Sequence, residues 1–170
     1  MTTPTAASAG ANGASTWRTQ AGGILLAGLG AFVALALVGM LAQETSEPWI
    51  LGSFGATCVL LFGFPFSPFS QPRNIIGGHV LTSLTGLLCL HLFGPGYVPM
   101  AVAAASALML MMLTRTVHPP AGSNPVIIFA VQPGWSFLAL PTMIGAVSLV
   151  LIGWIYWAIV KRGSWPNRAG

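Results

Sequence analysis

At 170 residues the chain has room for about one domain, and 55% of it is apolar while only 5% is charged. Soluble domains carry roughly 25% charged residues, so a water-facing surface is excluded and the chain reads as an integral membrane protein in a lipid bilayer. The net charge of +4 does not indicate a nucleic-acid partner, because the cations are scattered and no basic stripe carries interleaved aromatics.

After Met1, residues up to 16 are Ala, Ser, Thr, Gly and Asn with one Pro and lack the charged start of a signal peptide, which predicts a disordered N-terminal tail over 1–17. From Arg18 onward the charges cut the chain into apolar lengths. Thr19–Gln43 and Pro48–Pro72 are charge-free, and each has room for one helix of about 20 residues across the hydrocarbon core. Asn74–Thr114 and Thr116–Val160 have room for two each, with turn signals midway at Gly94–Pro95–Gly96 and Gln132–Pro133–Gly134. Six crossings result. They put Arg18, Arg73, Arg115, Lys161, Arg162 and Arg168 on one side and Glu44 and Glu47 on the other, as the cytoplasmic preference of cations requires. With four crossings, Arg73 and Arg115 would change sides. The expected organisation is a single transmembrane domain over 18–162 and a basic C-terminal tail over 163–170. Both termini are expected on the cytoplasmic side of a bacterial inner membrane.

Laying Gly55–Gly86 over Gly122–Gly153 pairs Gly55 with Gly122, Val59 with Val126, Phe62 with Phe129, Gly78 with Gly145, Val80 with Val147 and Gly86 with Gly153. The identities are few. Three crossings per half, about 18–93 and about 94–162, would make the second half an inverted copy of the first, a recurring transporter architecture. The aligned region begins where both halves are least helix-like. These stretches are Pro48–Thr57, which includes Ser53, Phe54, Gly55, Ala56 and Thr57, and His118–Pro125, which includes Pro119, Pro120, Ala121, Gly122, Ser123 and Asn124. A residue before proline leaves the helical region, so His118 and Pro119 are expected to be extended. Pro125 suits the first helical position with Asn124 as its N-cap. Segments two and five would then be discontinuous, each entering as extended chain and finishing as a half-helix. Their N-termini would converge near the midplane and offer backbone N–H groups to an anion. The alternative reading makes the second stretch an ordinary loop at the inner boundary.

Arg73 and Asn74 open the third segment, where Arg73 is either a topology anchor or a guide for anions. His79 lies about one turn further on, and an ionisable group inside a membrane helix is a functional candidate by default, although a packing role fits it equally. His118, with a reference pKa of about 6.5, is a candidate for carrying a coupling proton. Cys58 and Cys89 sit inside apolar runs and read as packed or lipid-facing thiols. No Cys, His and acid cluster has metal-ligand spacing, so neither metal nor cofactor is expected. With two acids, both outside the apolar segments, and no nucleophile motif, an enzyme is not expected either.

Three stretches carry a family resemblance: "GSFGATCVLLFG" at 52–63, "QPRNIIGGH" at 71–79 and "HPPAG" at 118–122. In this order they resemble the HPP family of integral membrane proteins, and the resemblance covers roughly residues 20–160. It implies an all-α membrane fold. Some cyanobacterial and plastid members of that family transport nitrite, while many bacterial members have no assigned substrate. Many relatives follow the HPP motif with Gly-Ala-Thr, where this chain has Gly122–Ser123–Asn124 and keeps that triplet at Gly55–Ala56–Thr57. The expected function is transport of a small monovalent anion, nitrite first, with His118 or His79 as a proton carrier. An uncoupled anion channel and a non-transporting regulatory or assembly protein are the alternatives. The sequence is compatible with a homo-oligomer and does not specify one.

Overall fold

A computed structural model describes residues 6–43, 52–160 and 165–166. Pro48–Leu51 of the first odd stretch, Glu44, Glu47, Lys161, Arg162 and Arg168 lie outside the described residues. All described regular structure is helical. In chain order it comprises α1 (Ala6–Gln43), α2 (Gly52–Cys58) continued by a π-turn (Val59–Gly63), a short 3₁₀ segment (Pro68–Ser70), α3 (Pro72–Phe93) and α4 (Tyr97–Leu113). A second 3₁₀ segment (Pro119–Ser123) follows, then α5 (Asn124–Val131), a π segment (Leu138–Met143) and α6 (Ile144–Val160). Three stretches are long and apolar enough to cross a bilayer: Ala21–Leu41, Pro72–Phe93 and Leu138–Val160. Gly52–Gly63 and Tyr97–Leu113 are shorter apolar helices.

The sequence explains most of these boundaries. Pro72 starts α3 in its first turn after extended Gln71, where its missing N–H costs nothing. Gly94, at φ 73°, ends α3 in a backbone region that favours glycine, so the Gly-Pro-Gly turn falls where it was expected. Gln132 closes α5 in the left-handed conformation, which makes the second expected turn. Leu140, ahead of Pro141, is extended at φ −129° and ψ 119° and kinks the approach to α6. The N-terminal expectation is corrected: α1 begins at Ala6, inside the segment 1–17 that was to be a disordered tail. Alanine at 6, 7, 9, 11 and 14 supplies the strongest intrinsic helix propensity. Trp165, within the expected basic tail, is buried and donates its indole N–H to the Ser70 carbonyl at 3.2 Å.

α3 is the hub. It packs against α4, α5, α6 and both 3₁₀ segments, while α1 lies against α2 and α6. The core is built from Phe54, Leu61, Phe62, Ile75, Leu87, Ile128, Phe137 and Leu149. Apolar side chains also cover the outside, on α1 (Leu25, Phe32, Met40), α4 (Val98, Met109, Leu113) and α6 (Leu151, Trp154, Ile159). Lipid solvates such a surface, and water does not. Glycines stand at several close approaches between segments. A methyl group at Gly78 would meet His118 and Ala121, and one at Gly86 would meet Ile128 and Pro125. At Gly145 it would meet Phe54, and at Gly153 Leu61. Small residues at these points let membrane helices come together.

Candidate functional site

The 3₁₀ segment Pro119–Ser123 lies against α2. Between them runs an open cleft of about 720 Å³, with Gly52, Ser53, Ala56, Val59 and Leu60 on one wall and Pro119, Pro120, Ser123 and Ile127 on the other. Ser53 is buried and its hydroxyl has no hydrogen-bond partner among the described residues. The Ser123 hydroxyl donates to the Pro120 carbonyl at 2.9 Å.

Directly behind the cleft wall is a dry polar cluster. Thr57, His79, His118 and Asn124 are all fully buried. Thr57 Oγ1 lies 3.0 Å from His79 Nε2 and 2.9 Å from His118 Nε2, and 2.9 Å from the Ser53 carbonyl. His118 Nδ1 is 2.7 Å from the Phe69 carbonyl. On the other flank, Asn124 Nδ2 is 3.1 Å from His79 Nδ1, 3.3 Å from the His79 carbonyl and 3.0 Å from Ser83 Oγ, which in turn is 3.0 Å from Thr142 Oγ1. The two imidazole centroids are 5.1 Å apart, and the edge of Phe54 stacks T-shaped on His79 at 5.2 Å. Asn124 Oδ1 has no hydrogen-bond partner among the described residues.

α3 carries the ruler that builds this cluster. Asn74 Nδ2 donates to the Val117 carbonyl at 2.8 Å, and Arg73 Nη2 donates to the Thr114 carbonyl at 2.7 Å. One turn on, Gly77 admits the Thr116 side chain and Gly78 admits Cβ of His118. The strand-like link from α4 is thereby pinned along α3, and His118 arrives beside His79. Thr82 and Thr85 satisfy their hydroxyls on carbonyls within α3 at 2.9 and 2.8 Å, as threonine does in helices.

The residues expected at the site divide into two groups. Ser53, Ala56, Pro119, Pro120 and Ser123 border the cleft. Thr57, His118 and Asn124 lie behind it and bind one another, while Phe54 and Ala121 are buried packing residues and Gly55 and Gly122 are half-buried. Asn124 is not the N-cap of α5. It has helical dihedrals, the cap position falls to Ser123, and the Asn124 amide reaches across to α3. Tertiary partners outcompete the local cap here, because a buried His79 nitrogen needs a donor. Sequence reasoning did not single out Ser83, Thr142 or the Phe69 carbonyl, which complete the network. Serine or threonine inside an apolar run is its only trace.

Residues 16–166 match the family model described as HPP, transmembrane region. The chain belongs to this family. The three stretches that carried the resemblance meet at one point: Thr57 from the first, His79 from the second and His118 from the third. A transmembrane protein of Dictyostelium discoideum is 31% identical over 133 residues, covering 74% of this chain and 47% of its own length. A second transmembrane protein of the same organism is 27% identical over 150 residues, covering 81% and 48%. The chain spans about half the length of the curated relatives it matches. No solved structure matches it. As an HPP protein the chain is an integral membrane protein.

Proposed function

We propose that this HPP protein transports a small monovalent anion, with nitrite the first candidate, through the cleft between α2 and Pro119–Ser123. The observation that carries the reading is the cleft itself. It is formed jointly by parts of the two stretches expected to converge, which are wound as α2 and a 3₁₀ turn rather than extended as expected, with small residues, prolines and aliphatic side chains on its walls. Backbone N–H groups at the starts of the two short helical segments are suitable donors for an anion. A cluster of neutral hydrogen-bonding groups backs the wall, which suits a weakly bound ion that must leave again.

The proposed architecture is six crossings in two inverted halves of three, with the second and fifth discontinuous, the cationic ends cytoplasmic and the membrane a bacterial inner membrane. Exchange of contacts supports the repeat. In the alignment of 55–86 on 122–153, Gly78 corresponds to Gly145 and Ala121 to Phe54. Gly78 packs on Ala121, and Gly145 packs on Phe54. Likewise Gly86 packs on Ile128, and their counterparts Gly153 and Leu61 pack together. Contacts that swap partners between halves are what a two-fold relation produces. At 1.5 Å per residue, Asn124–Val131 is about 12 Å long and falls well short of a hydrocarbon core of about 30 Å, which supports a half-helix.

Reconstitution into liposomes tests the function. Purified protein should carry nitrite faster than empty vesicles, and a pH gradient should drive that flux. Anion flux that ignores the pH gradient would favour an uncoupled channel. No flux for any of a panel of small anions would leave a regulatory or assembly role.

A further inference from the structure

With both rings neutral, the hydrogen-bond geometry behind the cleft gives every ring nitrogen a partner in one arrangement of protons, and it singles out one histidine. Two backbone carbonyls fix the ends of the chain of contacts, since a carbonyl can only accept. At one end the Phe69 carbonyl faces His118 Nδ1 at 2.7 Å, so His118 carries its hydrogen on Nδ1 and its Nε2 is a bare acceptor. At the other end the His79 carbonyl and Ser83 Oγ turn the Asn124 amide nitrogen toward His79 Nδ1. An amide nitrogen cannot accept, so His79 Nδ1 is the acceptor and its hydrogen sits on Nε2. Thr57 lies between: it accepts from His79 Nε2 and donates its single hydrogen to His118 Nε2. In this arrangement each imidazole carries one hydrogen and both rings are neutral, while the two hydrogens of the Asn124 amide are shared among three acceptors.

We infer that His118 is the one proton-accepting group of this cluster and that the Thr57 hydroxyl is its switch, with the Ser53 carbonyl as the second resting place. When a proton from a hydronium ion adds to His118 Nε2 and leaves water behind, the new Nε2–H donates to Thr57 Oγ1. The Thr57 hydrogen turns to the Ser53 carbonyl, 2.9 Å away. Thr57 breaks no covalent bond and only changes its acceptor. His118 Nδ1–H still holds the Phe69 carbonyl, and His79 still donates to Thr57. The cation is therefore satisfied by the atoms already in place. A second proton on His79 would point an N–H at the N–H of Asn124, and relieving that would require the amide to turn over and give up its bond to the His79 carbonyl. Of the other titratable or charged groups on the surrounding elements, Cys58 lies on α2, Arg73, Cys89 and His91 on α3, Tyr97 on α4 and Arg115 just before the link. Pro68–Ser70, Pro119–Ser123 and α5 carry none. Arg73 binds the Thr114 carbonyl and His91 the Leu87 carbonyl, and the ring stacked beside His118 is that of His79.

The switch also reaches the cleft. Ser53 and Pro119, the neighbour of His118, are both wall residues. Among the described residues there is no carboxylate to balance a positive charge on His118, and an anion in the cleft would supply that balance. Proton and anion therefore favour each other's binding, reciprocally. This coupling rests on the anion reading; the proton assignment does not.

The test is nitrogen NMR of ¹⁵N-histidine-labelled protein in lipid bilayers. At neutral pH, His118 is expected as the Nδ1–H tautomer and His79 as the Nε2–H tautomer, and on acidification His118 is the first to carry both hydrogens. Thr57→Val should turn the fixed pair of tautomers into a mixture, and Thr57→Ser should restore it. Asn124→Asp should let His79 bind a proton on Nδ1. Reversed tautomers in the unmodified protein, or His79 taking the second hydrogen first, would overturn the assignment. Adding nitrite at fixed pH should raise the doubly protonated fraction of His118. The expected tautomers with no response to nitrite would support the proton assignment and count against the anion reading.

Discussion

Thr57 has one hydroxyl hydrogen and three neighbours within hydrogen-bond distance, and nothing else bridges the two imidazoles. Thr57→Val keeps the shape and removes the bridge. It leaves a bare nitrogen on His118 and an unaccepted N–H on His79, both without access to water. A buried polar group left unpaired costs about 1–3 kcal/mol, so this variant should melt earlier in detergent, while Thr57→Ser should stay close to the parent. Equal melting of Thr57→Val and the parent would mean that the bridge is not formed. Gly78 makes a separate prediction. A methyl group there would sit 2.8 Å from Cβ of His118 and 3.1 Å from the Thr116 carbonyl. Backbone on one side prevents easy relief, so Gly78→Ala should cost about 1–3 kcal/mol by overpacking, again read as a lowered melting midpoint.

At the scale of elements, α3 acts as a rail for the link between α4 and Pro119. Asn74 and Arg73 each hold a carbonyl of that link. The Asn74 bond is the more sheltered of the two, so Asn74→Ala should destabilise by about 1–3 kcal/mol and Arg73→Ala by less. A stronger effect from Arg73 in the same thermal assay would reverse that ranking and point to its charge. The turns at Gly94–Gly96 and Gln132 were legible because glycine and proline state their backbone needs locally. The capping role of Asn124 was misread because a cap is also a local rule, and a partner 45 residues away took the side chain instead.

For the molecule as a whole, the proposed six crossings make a statement about sides. Single cysteines replacing Pro95 and Pro133 should react with an impermeant thiol reagent added outside the cell, and one replacing Arg115 should react only after permeabilisation. The native Cys58 and Cys89 are buried and should contribute little background. Labelling of 95 and 115 from one side would reduce the number of crossings and remove the inverted repeat. A thiol at Ala56 or Ser123, on opposite walls of the cleft, should be protected by nitrite if the anion sits there.

Membrane residence was decided by composition, because so few charges leave only lipid as a partner for the surface, and the helical class by charge-free stretches long enough for helices of about 20 residues to cross. The family was also written in three short stretches of sequence. What the tertiary structure decided is which side chains touch. Thr57 lies 22 residues from His79 and 61 from His118, and no periodicity links positions that far apart. Only folding shows that a threonine expected to face an anion instead stands behind the wall, between two histidines, because buried nitrogens must find donors and acceptors wherever the packing brings them.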